Sequence, residues 1–275
     1  MKLGDFELYA LSDGTFALDG GQMFSIVPKA LWEKKFAADS RNRVRLNLRC
    51  LLVRTGRQNV LVETGIGDKF DPKYTDIYGV EHSTALPAEL HKLGLVPEDI
   101  DIIINTHLHF DHCGWNTRRE GGKVVPTFPR ARYLVQRGEW EHAFHATDRD
   151  HASYVEEFFG PAEAQTELLD GDQEVLPGIR VERAPGHSGH LQLVRIESQG
   201  QQACFLSDLV PTTAHLAYPW ITSFDLYPME TLANKKWVLP QLAQEKALVV
   251  FPHDPSVPWV RLVEIDGKIS AQAVT

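Results

Sequence analysis

Residues 43–54 alternate between apolar and polar side chains. Val44, Leu46, Leu48 and Cys50 take one set of alternate positions, and an arginine or asparagine precedes each of them. Because successive side chains of a β-strand point to opposite faces, this pattern predicts a strand with one buried face. The arginines then lie on the other face, which we expect solvent to cover.

Other short apolar runs, bounded by turn residues, predict further strands, and several of them form hairpins. We expect Asp13-Gly14 to stop the first strand, because this pair is a common turn signal. The predicted strands cover residues 6–11, 60–63, 100–104, 132–136, 175–176, 179–182, 191–196, 203–206, 248–251 and 259–265.

Apolar positions at helical spacing predict helices at 28–36, 84–93, 139–146 and 229–246. Pro28 opens the first of these, Gly94 stops the second, and Pro240 is expected to break the last. Each half of the chain therefore reads as hairpin strands followed by a helix. This order predicts an α+β fold in which two sheets pack face to face with helices outside, a four-layer αββα sandwich. Since no Pro/Gly/Ser-rich linker interrupts the pattern, we expect one domain over 1–275.

Composition narrows the class of protein. Hydrophobic residues make up 43% of the chain and charged residues 24%, as in ordinary folded proteins. The net charge of -9 argues against a nucleic-acid partner. The N-terminus is acidic where a signal peptide is apolar, and no apolar run approaches the roughly 20 residues of a membrane span. Cys50, Cys113 and Cys204 are too few for a disulfide framework. We therefore expect a cytoplasmic protein with reduced, mostly buried thiols and no membrane partner.

The segment after the predicted strand at 100–104 holds the most informative chemistry. His107, His109, Asp111 and His112 place four possible metal ligands within six residues. Imidazole and carboxylate groups bind zinc, iron, manganese or cobalt. A single histidine here would suggest core packing, but three histidines and an aspartate at this spacing predict a metal site.

Three more candidate ligands stand in loops that follow apolar runs. They are His187, Asp208 and His253. Loops at the ends of neighbouring strands lie along one edge of a sheet, where their polar side chains can converge. Three other histidines, His142, His145 and His151, lie in or near a predicted helix and are expected at the surface.

Four motifs together resemble the metallo-β-lactamase superfamily over most of the chain. They are HLHFDH at 107–112, PGHSGH at 185–190, SD at 207–208 and PHD at 252–254. The resemblance implies the αββα fold and two divalent metal ions, with zinc expected and iron, manganese or cobalt as alternatives. One metal would be held by His107, His109 and His187, the second by Asp111, His112 and His253, and Asp208 would bridge both. Glu63 stands where the family usually has an aspartate, and it is expected to support a ligand rather than coordinate.

The resemblance also implies a reaction. A hydroxide shared by two metals would attack a carbonyl or phosphoryl centre, with Asp111 orienting the nucleophile and passing a proton to the leaving group. His190 and Tyr218 are candidate contacts to a small-molecule substrate. His109 stands where the redox branch of the superfamily has glutamate, which favours hydrolysis. The complete second ligand set argues against a mononuclear-iron persulfide dioxygenase and against a silent metal-binding scaffold.

Within the superfamily, the chain is most similar to the branch of N-acyl-homoserine lactonases, pyridoxolactonase and methyl-parathion hydrolase. The segments 27–32, 107–115 and 207–212 carry this similarity. The lactonases have a tyrosine soon after the bridging aspartate, and here the nearest tyrosine is Tyr218. An apolar pocket is expected from Phe24, Phe110, Trp115, Leu216, Tyr218, Trp220 and Phe224.

The sequence therefore predicts hydrolysis of a small, fairly apolar lactone or ester. A phosphotriesterase-like or thioester (glyoxalase II-like) activity on the same metals is the alternative. We further hypothesise a homodimer formed through an exposed apolar segment at 23–36.

Overall fold

The computed structural model describes residues 1–274. Its strands are β1 Lys2–Leu3, β2 Phe6–Asp19, β3 Arg43–Arg54, β4 Asn59–Val62, β5 Ile102–Ile104, β6 Thr117–Glu120, β7 Lys123–Pro126, β8 Arg132–Gln136, β9 Thr166–Leu169, β10 Gln173–Leu176, β11 Ile179–Arg183, β12 Gln192–Ser198, β13 Gln201–Phe205, β14 Leu248–Val250, β15 Val260–Ile265 and β16 Lys268–Ala273. Its α-helices are α1 Gly20–Phe24, α2 Lys29–Trp32, α3 Pro72–Ile77, α4 Leu86–Lys92, α5 Phe110–Cys113, α6 Arg137–Phe144, α7 Glu156–Phe159 and α8 Pro228–Gln244.

The chain divides into two compact units. The first unit comprises residues 1–15 and 48–171, and the second comprises 16–47 together with the described residues from 172 onward. Each unit has its own cluster of buried apolar side chains. The single domain expected over the whole chain stays a prediction.

The strands of the first sheet follow the order β1-β2-β3-β4-β5-β8-β9. Strands β4, β5 and β8 run parallel, and Val62 and Ile104, the last residues of β4 and β5, stand in register with Leu134 of β8. The residues that follow β4 and β5 therefore leave the sheet at the same edge. Ligands of α/β proteins bind at this kind of edge.

The strands of the second sheet follow the order β10-β11-β12-β13-β14-β15-β16. Most neighbours are antiparallel, but β13 and β14 run parallel, with Phe205 opposite Val250. The chain segments after Phe205 and Val250 consequently start side by side. The connection between β11 and β12 lies at the same end, because β12 is antiparallel to β13.

Strand β3 has the predicted bounds, but β2 is longer than predicted. It continues through Asp13-Gly14 to Asp19. The buried Asp13 carboxylate accepts hydrogen bonds from the amides of Ile66, Gly67 and Leu86 and from Trp115 Nε1. Asp13 thus fixes neighbouring segments instead of turning its own strand.

Helix α8 is also continuous where a break was predicted. Pro240 lies inside it. A proline in a helix removes one backbone donor, and the carbonyl left over belongs to Lys236. Because Lys236 is exposed, water can satisfy that carbonyl, so the helix tolerates the proline. Because it continues through Pro240, α8 has 17 residues and is the longest helix among residues 1–274. Among residues 1–274, no helix combines the length and apolar character needed to cross a bilayer.

The remaining predictions are partly confirmed. The three cysteines are buried and form no disulfide. The helix predicted over 28–36 shortens to α2. Strands β1, β6, β7, β9 and β16 were not predicted. The segment 23–36 is not uniformly exposed: Met23 and Trp32 are buried, whereas Ile26 is 82% exposed. The segment therefore does not form the continuous apolar surface that was expected at a dimer interface. The homodimer stays a prediction.

Asp13 gives the stability of the chain a defined pH dependence. Burial raises the pKa of its carboxyl group from 3.8 to about 6. The folded chain thus holds this proton more tightly than the unfolded chain, and the stabilisation is lost as pH rises through the folded pKa. We compare the free energies of unfolding of the wild type and Asp13→Asn, measured with urea in the absence of metal. The wild-type value should fall relative to that of Asp13→Asn by about 3 kcal/mol as pH rises from below 3.8 to above 6.

The matched control is Asp148→Asn, because Asp148 is an exposed carboxylate of the same unit. Its stability should follow that of the wild type at every pH. A stability difference between wild type and Asp13→Asn that does not change with pH would contradict the role of the buried carboxylate.

Candidate metal centre

In the first unit, strand β5 delivers the histidine motif to the edge of the sheet. All three residues of β5 are buried between β4 and β8. The chain leaves the strand at Asn105 and enters the single turn of α5, with His109 at its N-cap. The ring centroid of His107 lies 4.5 Å from that of His109 and 4.1 Å from that of His112. Asp111 joins this group, its Oδ2 lying 3.5 Å from His112 Nε2.

Glu63 supports this group from the end of β4. Its Oε1 lies 3.4 Å from His112 Nδ1 and accepts hydrogen bonds from the amide and hydroxyl of Thr106. The Thr106 hydroxyl also lies 3.0 Å from His107 Nδ1. Ligand atoms of Glu63, His107 and His112 fall within 4.8 Å of one another. Burial raises the pKa of Glu63. These contacts agree with the expected supporting role of Glu63.

A second supporting carboxylate was missed in the sequence. Glu139, in the first turn of α6, accepts hydrogen bonds from the Leu108 amide and the Tyr154 hydroxyl, each at 3.1 Å. The ring of Tyr154 in turn packs edge-on against His109, with 4.8 Å between centroids. Glu139 therefore fixes the backbone between two candidate ligands, although no motif marks it.

The far end of α5 is held by a glycine-rich loop. Lys69 Nζ donates to the carbonyls of Gly114 and Thr117. A Cβ atom added at Gly114 would lie 2.0 Å from the carbonyl carbon of Ile66. Only glycine allows this approach, so Gly114 lets the loop fasten the short helix that carries Asp111 and His112.

In the second unit, strand register brings Asp208 and His253 together. Asp208 comes three residues after Phe205, and His253 comes three residues after Val250, its partner in the parallel pair. Asp208 Oδ1 lies 3.1 Å from His253 Nε2. Its other oxygen, Oδ2, lies 3.3 Å from His187 Nε2. One carboxylate thus faces two imidazoles, as expected for a bridging ligand.

The Nδ1 atoms of His187 and His253 also lie within hydrogen-bond distance of a partner. His187 Nδ1 lies 3.1 Å from Asp225 Oδ1. His253 Nδ1 lies 2.8 Å from the Asn47 carbonyl, which can only accept, so Nδ1 carries the proton. His253 Nε2 and the Asp208 carboxylate would then repel each other unless a proton or metal cation lay between them. The donor set therefore fits a divalent metal ion.

Asp225 was not predicted from the sequence. Besides His187, it accepts hydrogen bonds from the hydroxyls of Thr222 and Thr231, each at 2.6 Å. A Cβ atom at Gly186 would lie 2.2 Å from Thr231 Oγ1, so this glycine permits the contact between the His187 loop and α8. The ligand loop is thereby fixed to a rigid helix.

The predicted substrate contacts are less well placed. His190 is half-buried in the same loop as His187. Tyr218 packs against the core of the second unit, and Lys236 Nζ lies 6.0 Å from its ring. Their roles in substrate binding stay predictions.

The expected apolar pocket stays a prediction, because its residues fall in both units. Phe24 stacks on Trp32 and His215 in the second unit, and in the first unit Phe110 stacks on Phe70. Leu216 and Trp220 line a cavity of about 790 Å³ in the second unit.

His142 lies at the surface only in part, with 25% of its side chain exposed. His142 is half-buried, and its Nε2 lies 2.5 Å from Asp150 Oδ2. His145 and His151 are exposed, as predicted.

Comparison with known proteins identifies the family. A sequence model of the metallo-β-lactamase superfamily matches residues 46–253. The chain belongs to this superfamily. The predicted α+β class, the metallo-β-lactamase fold and the enzyme class of metal-dependent hydrolase are thereby confirmed.

Two curated relatives of this chain are named N-acyl homoserine lactonases. The protein from Bacillus cereus is 27% identical over 229 residues, which cover 78% of this chain and 83% of the relative. AiiA from Bacillus thuringiensis subsp. kurstaki is 26% identical over 215 residues, with coverage of 74% and 80%.

Two solved structures extend the comparison. A probable metal-dependent hydrolase from Staphylococcus aureus is 33% identical, with a TM-score of 0.94 and coverage of 99% of this chain and 97% of that one. AidC, a dizinc quorum-quenching lactonase in complex with a product, is 21% identical, with a TM-score of 0.84 and coverage of 100% and 96%. The second likeness concerns the fold alone.

The contacts of Asp225 predict a role in metal retention. Asp225→Ala removes the group that orients His187, so we expect metal affinity to fall by about 10–100-fold. Titration against a competing chelator measures this change. Glu230→Ala is the control, since Glu230 is an exposed carboxylate nearby. Equal affinities in the two variants would show that Asp225 does not support the site.

Proposed function

We propose that this chain is a dinuclear metal-dependent hydrolase that opens a small, fairly apolar lactone or cleaves a related ester. The observation that carries the proposal is Asp208, whose two carboxylate oxygens face different histidines at 3.1 and 3.3 Å. A carboxylate with one oxygen toward each of two imidazoles is suited to join two cations.

The proposed ligand set follows the order of the sequence motifs. His107, His109 and His187 hold one metal, Asp111, His112 and His253 hold the second, and Asp208 binds both. The close grouping of the ligands within each unit and the order of the motifs support this assignment. Zinc is the proposed metal, although the donor set also suits iron, manganese or cobalt.

The metals would supply a water molecule that is deprotonated near neutral pH. Asp111 would take the proton that the attacking water loses and would deliver this same proton to the leaving oxygen. Glu63 and Asp225 keep the ligating histidines in one orientation. His190 and Tyr218 contact the substrate.

The substrate class rests on two kinds of support. Curated relatives at 26–27% identity are named N-acyl homoserine lactonases. The second unit also offers an apolar wall, in which Leu216, Trp220 and Val257 line the cavity. A cyclic ester with an apolar substituent suits the apolar part of this wall, and Asp254, the residue after His253, lines the same cavity.

A substrate panel tests the proposal on the zinc-loaded enzyme. N-acyl-homoserine lactones, simple γ-lactones, aryl esters, phosphotriesters and hydroxyacyl thioesters are compared by kcat/KM. We expect the lactones to be hydrolysed most efficiently. A higher kcat/KM with phosphotriesters or thioesters would replace the proposed substrate class. If no substrate is turned over with zinc, iron, manganese or cobalt, the chain is instead a catalytically silent metal-binding scaffold.

Removing the bridging carboxylate should have the largest effect on metal content. We expect Asp208→Ala to lose metal affinity by more than the roughly 100-fold that a supporting partner costs, and to lose lactone hydrolysis with it. Elemental analysis after gel filtration gives the metal-to-protein ratio, which should fall from two to one or below. His145→Ala, an exposed imidazole, should keep both metals. Two metals retained in Asp208→Ala would refute the bridging role.

A further inference from the structure

Lys235 is a fully buried lysine in the second unit. Its side chain is 0% exposed within α8, on the face that also buries Val238, Leu239 and Leu242. A buried ammonium is costly unless hydrogen bonds replace its water. Burial lowers the pKa of Lys235 to about 7, and Asp225 opposes this effect. Its hydrogen-bond partners therefore decide what this residue does.

Three backbone carbonyls supply those hydrogen bonds. Lys235 Nζ donates to Ala217 O at 2.8 Å, Tyr218 O at 3.2 Å and Trp220 O at 2.7 Å. An ammonium has three donors, so all of them are directed to one short segment, 217–220. This segment has no regular helix or strand. One side chain therefore holds its backbone in place.

The same face of α8 also fixes a proposed metal ligand. Thr231 stands four residues before Lys235, so the two side chains are neighbours on the helix surface. The Thr231 hydroxyl donates to Asp225, which contacts His187. Helix α8 thus sets the position of the 217–220 segment and of His187 from a single rigid element.

The 217–220 segment forms part of a cavity wall. Ala217 and Trp220 line the cavity of about 790 Å³. The Trp220 ring packs edge-on against the buried Phe24, with 5.7 Å between centroids. Tyr218, which lies between Ala217 and Trp220 in sequence, is a proposed substrate contact. A shift of this backbone would therefore change both the wall and the tyrosine.

We propose that Lys235 is a positioning residue that fixes the 217–220 segment and thereby sets which acyl groups the enzyme accepts. The inference rests on the proposed lactonase function. Lys235 donates its hydrogen bonds to backbone carbonyls of this segment, so it acts through the segment that it holds.

The decisive variant is Lys235→Met, which keeps the length of the side chain and removes all three donors. Lys235→Arg keeps the charge but spaces the donors differently, and it serves if the methionine variant does not fold. Lys34→Met is the control, because Lys34 is an exposed lysine of the same unit. All are prepared with zinc, and their metal content is measured first.

Two readouts are needed. Amide hydrogen exchange of a peptide spanning 213–224 reports the mobility of the segment without reference to activity, and we expect exchange to accelerate about tenfold in Lys235→Met. The ratio of kcat/KM for decanoyl- and butanoyl-homoserine lactone reports acyl selectivity, and we expect it to move toward one by about tenfold. Lys34→Met should match the wild type in both.

The outcomes separate the two proposals. If the wild type hydrolyses no lactone, the proposed function fails, and hydrogen exchange still decides whether Lys235 holds the segment. Unchanged exchange in Lys235→Met overturns the inference. Faster exchange with an unchanged selectivity ratio also overturns it. A wild type that hydrolyses decanoyl- and butanoyl-homoserine lactone equally well overturns it too. If only Lys235→Arg folds, the same two readouts on that variant decide.

Discussion

Parallel pairing of short buried strands is the constraint on which the rest of this structure depends. In the first unit, β4 and β5 end in register, and Glu63 and the histidine motif follow them directly. In the second unit, β13 and β14 end in register, and Asp208 and His253 each follow three residues later. Within each unit, polar side chains far apart in sequence therefore meet because the hydrogen-bond ladder sets where each loop begins.

Burial then determines what these polar groups need. Removing carboxylates and imidazoles from water is costly, so each must find donors, acceptors or a cation. Glu63 binds Thr106 and His112, and Asp225 binds two hydroxyls and His187. Each of these partners also limits the rotation of a proposed ligand ring. The network that makes burial tolerable is thus the same network that orients the candidate ligands.

Sequence patterns predicted the candidate ligands, which stay predictions, and much of the sheet, because both depend on local information. The alternation in β3 and the spacing of the histidine motif are readable without tertiary contacts. Asp13, Asp225 and Lys235 were missed, because their partners lie elsewhere in the chain and nothing near them in sequence marks them. The helix break predicted at Pro240 was wrong for a related reason: Lys236, whose carbonyl loses its helical donor, is an exposed residue, and sequence alone does not reveal this exposure.

The register of β13 against β14 has a consequence for folding. Slipping one strand by one residue would move its loop by about 3.3 Å along the sheet and would separate the carboxylate of Asp208 from the ring of His253. A chain folded in the wrong register could not bind a cation between them. Cation binding and correct strand alignment are thus thermodynamically linked, and an ion present well above its dissociation constant favours the correctly aligned sheet over its slipped competitors.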